Sequence, residues 1–183
     1  MGHEGHDHHD HDHDHGGHHH HPHHGHAESA VSTWIVTCSD TRDAAGDESG
    51  AIARKLIAAS GHSIAGQEIV KDDAHSIEHA LEHALEHGAR CVIFTGGTGV
   101  SSRDVTIETL TPKFSKTLDG FGELFRSLSF AQIGSAAWLS RASAGVINGA
   151  LIFCLPGSPK AVQLALEKLI LPELSHAVRE VLR

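Results

Sequence analysis

The sequence predicts an α/β fold, a three-layer sandwich with a central mostly parallel sheet. Three observations carry this. Short β-branched runs alternate with amphipathic helical stretches over residues 31–95. The strand-like runs are nearly continuously apolar, as strands covered on both faces are. Residues 29–183 also make a body that can bury about 70 % of its unfolded surface, enough for one self-sufficient core.

The elements follow in order. Residues 31–37, β-branched and containing Trp34, read as a buried strand. Asp47 and Ser49 offer caps to a helix with Ile52, Leu56 and Ile57 on one face, stopped by Gly61. Residues 64–70 form a second strand. Asp73 opens a helix whose apolar stripe is Ile77, Leu81, Ala84 and Leu85, ended by Gly88. Residues 91–95 form a third strand. Thr106 is expected to cap a short helix that Pro112 limits, and residues 121–128 and 135–142 read as helical. Val146 and Ile147, then Asn148-Gly149, then residues 151–155 carry a hairpin signature, because Asn-Gly suits a type I′ turn. Ser158 then caps a helix with Pro159 at its first position, bearing Val162, Leu166 and Leu169. Pro172 opens a last amphipathic segment.

Composition excludes several classes. The chain carries 20 His and a formal charge of −9. Six of its 23 acids and none of its 14 bases fall in residues 1–28, so the body is near neutral. Without a basic excess it has no nucleic-acid footprint. No apolar stretch approaches the roughly 20 residues of a membrane helix. The N-terminus has neither a basic start nor an apolar core, so no secretory signal is expected. Cys38, Cys91 and Cys154 are far apart, lie in strand-like runs and form no CxxC pair. They read as small buried hydrophobes of a reducing cytoplasm.

Residues 1–28 read as a separate His/Asp/Gly-rich tail with nothing to bury, hence disordered. Its candidate ligands are His3, His6, His8, His9, His11, His13, His15, His18, His19, His20, His21, His23, His24 and His26. Imidazole suits Zn, Ni, Co and Cu. An expression tag is the alternative, but the interleaved Asp residues favour a native metal-binding tail. A second His series, His75, His79, His83 and His87, reads as a solvated helix face opposite the Leu stripe.

Four loops hold the candidate chemistry. The run Thr95-Gly96-Gly97-Thr98-Gly99-Val100-Ser101-Ser102-Arg103-Asp104 begins where the third strand should end. In open parallel sheets ligands bind at that edge. Glycines let backbone N–H groups approach an anion or a planar ring. Thr98, Ser101 and Ser102 add hydroxyls, Arg103 a cation, and Asp104 a carboxylate fit for Mg²⁺. The glycine spacing matches neither a P-loop nor a dinucleotide fingerprint. Ser39-Asp40-Thr41-Arg42 ends the first strand. Lys71-Asp72-Asp73 ends the second, with Asp73 spent as a cap and Asp72 left over. Pro156-Gly157-Ser158-Pro159-Lys160 joins a strand to a helix N-terminus, an anion site that Lys160 strengthens. No Ser or Cys has a paired base. The residues alone describe a site for a phosphorylated polar molecule and a divalent cation on an α/β sheet.

The body resembles the molybdenum-cofactor biosynthesis proteins of the MoaB/MogA type. The resemblance rests on Ser39-Asp40-Thr41-Arg42, Glu68-Ile69-Val70-Lys71-Asp72-Asp73, residues 96–106, Leu139-Ser140-Arg141-Ala142 and residues 155–160. The Lys-Asp-Asp and Leu-Pro-Gly-Ser-Pro forms are closer to the MoaB branch. It implies a molybdopterin-binding fold, trimeric or hexameric, and adenylyl transfer from Mg-ATP to the terminal phosphate of molybdopterin. Asp72 and Asp104 would be the functional carboxylates, acting with Mg²⁺. The glycine loop and the Pro-Gly-Ser-Pro turn would bind pterin or nucleotide, and a molybdate-insertion enzyme would act downstream. Arg42, Arg103 and Lys160 could neutralise anionic oxygens. The His-rich tail is not part of the family's pattern. Two other readings are a non-catalytic molybdopterin-binding scaffold and a metallochaperone acting through the tail.

Overall fold

The computed structural model describes residues 1–2 and 29–183. The tail and its expected metal ligands lie outside the described residues.

The elements are β1 (Ser32–Cys38), α1 (Glu48–Ala59), β2 (Ser63–Val70), α2 (Ala74–Glu86), β3 (Cys91–Thr95), α3 (Thr106–Leu110), β4 (Lys116–Thr117), α4 (Asp119–Ile133), β5 (Ser143–Ile147), β6 (Ala150–Leu155), α5 (Pro159–Ala165) and α6 (Leu174–Val181). A six-stranded sheet runs in the order β2-β1-β3-β6-β5-β4. The first four strands are parallel, and β5 is antiparallel to both β6 and β4. Helices cover both faces. On one, Ile35, Ile93, Leu151, Phe153 and Leu155 pack with α1, α4, α5 and α6 through residues such as Ile57, Phe125, Val162 and Leu174. On the other, Val36, Val92, Phe94 and Ile152 pack under Ile77, Leu81 and Ala84 of α2 and Leu110 of α3. The expected three-layer α/β sandwich is therefore the observed one.

Local chemistry sets the boundaries. The carboxylate of Asp47 accepts from Gly50 N at the start of α1, Asp73 from Ser76 N at α2, and the Ser158 hydroxyl from Ala161 N at α5. The last places Pro159 in the first turn, where no N–H is needed. Asn148 (φ 49°) and Gly149 (φ 77°) make the left-handed pair of a type I′ turn between β5 and β6. The three thiols are buried, and burial pushes that of Cys38 up to about 12.

Several expectations are corrected. Thr106 does not cap α3. It is the first helical residue, and its hydroxyl donates to the Gly96 carbonyl at 3.0 Å. The helix expected at 121–128 runs on to Ile133. The one expected at 135–142 is a 3₁₀ turn, Gly134–Leu139, after a break at Gly134 (φ 60°). Strand β4 had no sequence signal, being two polar residues. A π turn, Leu166–Ile170, ends the α5 segment ahead of Pro172, with Leu171 N donating to Leu166 O at 3.0 Å. The His face of α2 is only partly solvated. His83 and His87 lean on the ring of buried Trp34, with centroids 5.0 and 5.5 Å away.

Candidate functional site

The four parallel strands end together. The segments after Cys38 of β1, Val70 of β2, Thr95 of β3 and Leu155 of β6 are therefore neighbours at one sheet edge. These are the four loops singled out from the sequence.

The glycine loop is the centre. Gly96 (φ 102°) and Gly97 (φ 61°) adopt backbone that L side chains avoid. A methyl group on Gly97 would overlap the Asp72 carboxylate and the Thr106 hydroxyl. One on Gly99 would press on the carboxylate of Asp104. Two of the glycines thus make room for the two acids. The loop is pinned by Gly96 N to Leu155 O and Thr106 N to Gly97 O, each at 3.0 Å. Arg141 Nε donates to Thr98 O at 3.2 Å, and its guanidinium also pairs with Glu108.

Asp72 accepts a long bond from Val105 N at 3.5 Å, and its own N–H donates to Asp40 Oδ1 at 3.2 Å. Partial burial raises the Asp72 carboxyl above the ordinary aspartate value, against the bond from Val105, and the charges of Asp104, Asp40 and Asp73 add to this. Asp104 Oδ2 accepts from Ser101 N at 2.9 Å. Asp73 is held low by the bonds it accepts from Ser76, in keeping with its capping role.

A cleft of about 440 Å³ opens over the loop. Gly96, Gly97, Thr98, Gly99 and Asp104 line it on one side and Pro156, Gly157 and Ser158 on another. Phe125, Ile133, Ala136, Leu139 and Ser140 supply a largely apolar wall from α4 and the 3₁₀ turn. A second cleft, of about 930 Å³, shares Ser129, Ile133, Ser158 and Ala161 with it and adds Lys160 and Lys168. The sequence reading missed this wall, giving its stretches only as helical. It also gave no role to Arg141, although it lies in a stretch that carried the resemblance.

The remaining candidates sit around the cleft. The Ser39 hydroxyl accepts from the Thr41 and Arg42 N–H groups and shapes its own turn. Arg42 Nη2 donates to Gly157 O at 3.1 Å, and Ser49 Oγ donates to the same carbonyl at 2.7 Å. Arg42 is therefore a strap between the first and fourth loops. Ser101 shapes the glycine loop, accepting from Arg103 N at its hydroxyl. Arg103 and Lys160 are exposed and in no ion pair among the described residues.

The fold and site define a class: an α/β domain with an acid-backed glycine loop beneath a half-apolar cleft. A family model described as "Probable molybdopterin binding domain" matches residues 34–176. "Molybdenum cofactor biosynthesis protein B" of Bacillus subtilis is 47 % identical over 157 residues, 85 % of this chain and 92 % of that protein. The protein of the same name from Halalkalibacterium halodurans is 45 % identical over 159 residues, 86 % of this chain and 94 % of that one. A crystal structure of a molybdenum cofactor biosynthesis protein B superposes with TM-score 0.83 at 45 % identity, covering 86 % of this chain and 99 % of that one. The tungsten cofactor synthesizing protein MoaB from Pyrococcus furiosus gives 0.78 at 35 % identity, covering 84 % and 98 %. The chain belongs to this molybdopterin-binding domain family, in its MoaB/MogA group.

Proposed function

We propose that the protein is a molybdopterin adenylyltransferase of molybdenum cofactor biosynthesis. The observation that carries this is the pair Asp72 and Asp104, packed against Gly97 and Gly99 of the glycine loop, with Asp104 lining the cleft. An oxygen of the molybdopterin terminal phosphate attacks the α-phosphorus of ATP. The new P–O bond forms as the bond from the α-phosphorus to the bridging oxygen breaks, and pyrophosphate leaves. The attacking group is already an anion, so no strong base is required, and catalysis is positioning plus charge neutralisation.

The chain's groups divide these tasks. The half-apolar cleft, with Gly97, Thr98 and Gly99 on one side, holds the pterin. The adjoining cleft with Lys160 and Lys168 takes the nucleotide. Arg103 and Lys160 neutralise phosphate oxygens. Arg42 acts at a distance, by fixing Gly157.

The donor set suits Mg²⁺. Among the described residues no three or more His, Cys, Asp or Glu make a ready metal cage, and Mg²⁺ is commonly held by one or two carboxylates with water and substrate phosphates. Asp72 and Asp104 would hold it, and bound there it would neutralise ATP phosphate charge.

A second copy of the chain is the expected partner. Phe130, Ile133, Trp138 and Leu139 are 62, 58, 75 and 43 % exposed on α4 and the turn after it, an apolar face of the kind that subunits cover. The His-rich residues 1–28 add imidazoles for Zn, Ni, Co or Cu beside this activity.

Asp104→Asn tests the assignment. It is expected to keep molybdopterin binding and to cut pyrophosphate release by about 100-fold or more. Undiminished release by that variant would refute it.

A further inference from the structure

The helix α2 carries His75, His79 and His83, His87 is its C-cap, and none of them lines the cleft. His83 and His87 differ from the other two. Their rings are 4.5 Å apart between centroids at 83°, and both rest on Trp34. Both Nδ1 atoms face an acceptor oxygen. His83 Nδ1 lies 3.4 Å from Glu68 Oε1, the atom that also accepts the Trp34 Nε1–H at 2.9 Å. His87 Nδ1 lies 2.8 Å from the carbonyl oxygen of His83.

A carbonyl and an ionised carboxylate only accept hydrogen bonds. A neutral His87 ring bonded to that carbonyl carries its hydrogen on Nδ1 and leaves Nε2 bare, and the facing Glu68 carboxylate favours the same tautomer in His83. Histidines that ligate metals are oriented in the same way, one ring N–H given to a carboxylate or backbone carbonyl and the other nitrogen given to the ion. Two imidazoles that share an ion at about 2 Å per bond hold their centroids about 5 Å apart. The observed 4.5 Å is close to that, whereas His79 and His83 stand 6.3 Å apart.

We propose that His83 and His87 form a two-histidine site for a divalent ion of the imidazole-preferring class, Cu²⁺, Ni²⁺ or Zn²⁺, bound through both Nε2 atoms. Glu68 is its positioning carboxylate. Water completes the coordination, since no third protein ligand is grouped there among the described residues. The His83 side chain is 41 % exposed, so the ion exchanges with solvent and is not structural. A hard ion such as Mg²⁺ prefers oxygen and stays with the carboxylates.

Trp34 reports on the site. The chain has two Trp, so Trp138→Phe in the full-length protein leaves Trp34 alone. Titration of that protein with copper sulfate is expected to quench most of its fluorescence, and EDTA to restore it. The further double substitution H83Q/H87Q is expected to abolish that quenching, although residues 1–28 keep their imidazoles. Glu68→Gln is expected to shift the midpoint by about tenfold to higher copper. A side-chain amide there keeps the oxygen that faces both Trp34 Nε1–H and His83 Nδ1 but removes the negative charge that makes the ring a stronger donor to the ion. This variant keeps both rings, so it reads the site even where the double substitution disturbs folding. Equal quenching in all three proteins, as ions held only by residues 1–28 would give, overturns the proposal. So does an absence of quenching in the protein with both histidines.

Discussion

Asp72 sits where stability and function oppose each other. Its carboxyl is raised first by burial and then by neighbouring carboxylates. A raised acid contributes stability that is full below its unfolded value and is lost as pH rises through its folded value. Ionised Asp72 therefore strains the ligand-free fold near neutral pH. Asp72→Asn, which keeps an oxygen for Val105 N–H, is expected to raise Tm at about pH 7, and the gain should vanish as pH falls to about 4. Thermal melts across that range check the sign; a lowered Tm at neutral pH would show the carboxylate to be a net stabiliser. The same variant is expected to lose turnover. Gly97→Ala probes the opposite side of this contact. Its Cβ would meet Asp72 and Thr106 in backbone with positive φ, so the expected loss is about 1–3 kcal/mol by denaturant unfolding. A wild-type midpoint would mean that the loop relaxes freely.

Among the elements, those with a local chemical signal were legible in the sequence. Asp47, Asp73 and Ser158 each accept the capping hydrogen bond, and Asn148-Gly149 closes the hairpin. The four candidate loops were legible for a related reason, because each follows an apolar run whose end the sequence marks. Elements defined by distant partners were not. Strand β4 exists because Lys116 and Thr117 pair with β5, 28 to 30 residues on. The Thr106 hydroxyl looked like a cap but serves the carbonyl of Gly96. The glycines of the loop looked like ligand cradles, and their packing on Asp72 and Asp104 needs the fold to be seen. On α4, beyond the helix end expected at residue 128, Phe130 and Ile133 face outward. The proposed second copy would cover them. Phe130→Asp with Trp138→Asp is expected to turn an oligomer into a monomer by light scattering. A wild-type protein that is already monomeric would leave this face without that role.

At the scale of the molecule, residues 29–183 and residues 1–28 present different chemistries. Twenty His dominate the composition, but the proposed transfer uses none of them. It uses carboxylates, glycines and cations brought to one sheet edge by four parallel strands. The central claim is the transfer itself. The direct measurement is pyrophosphate released from Mg-ATP by the full-length protein, with and without molybdopterin. Release that requires molybdopterin and matches the adenylylated product mole for mole is the expected result. Molybdopterin that binds without any pyrophosphate release would contradict it and leave the domain a pterin-binding scaffold.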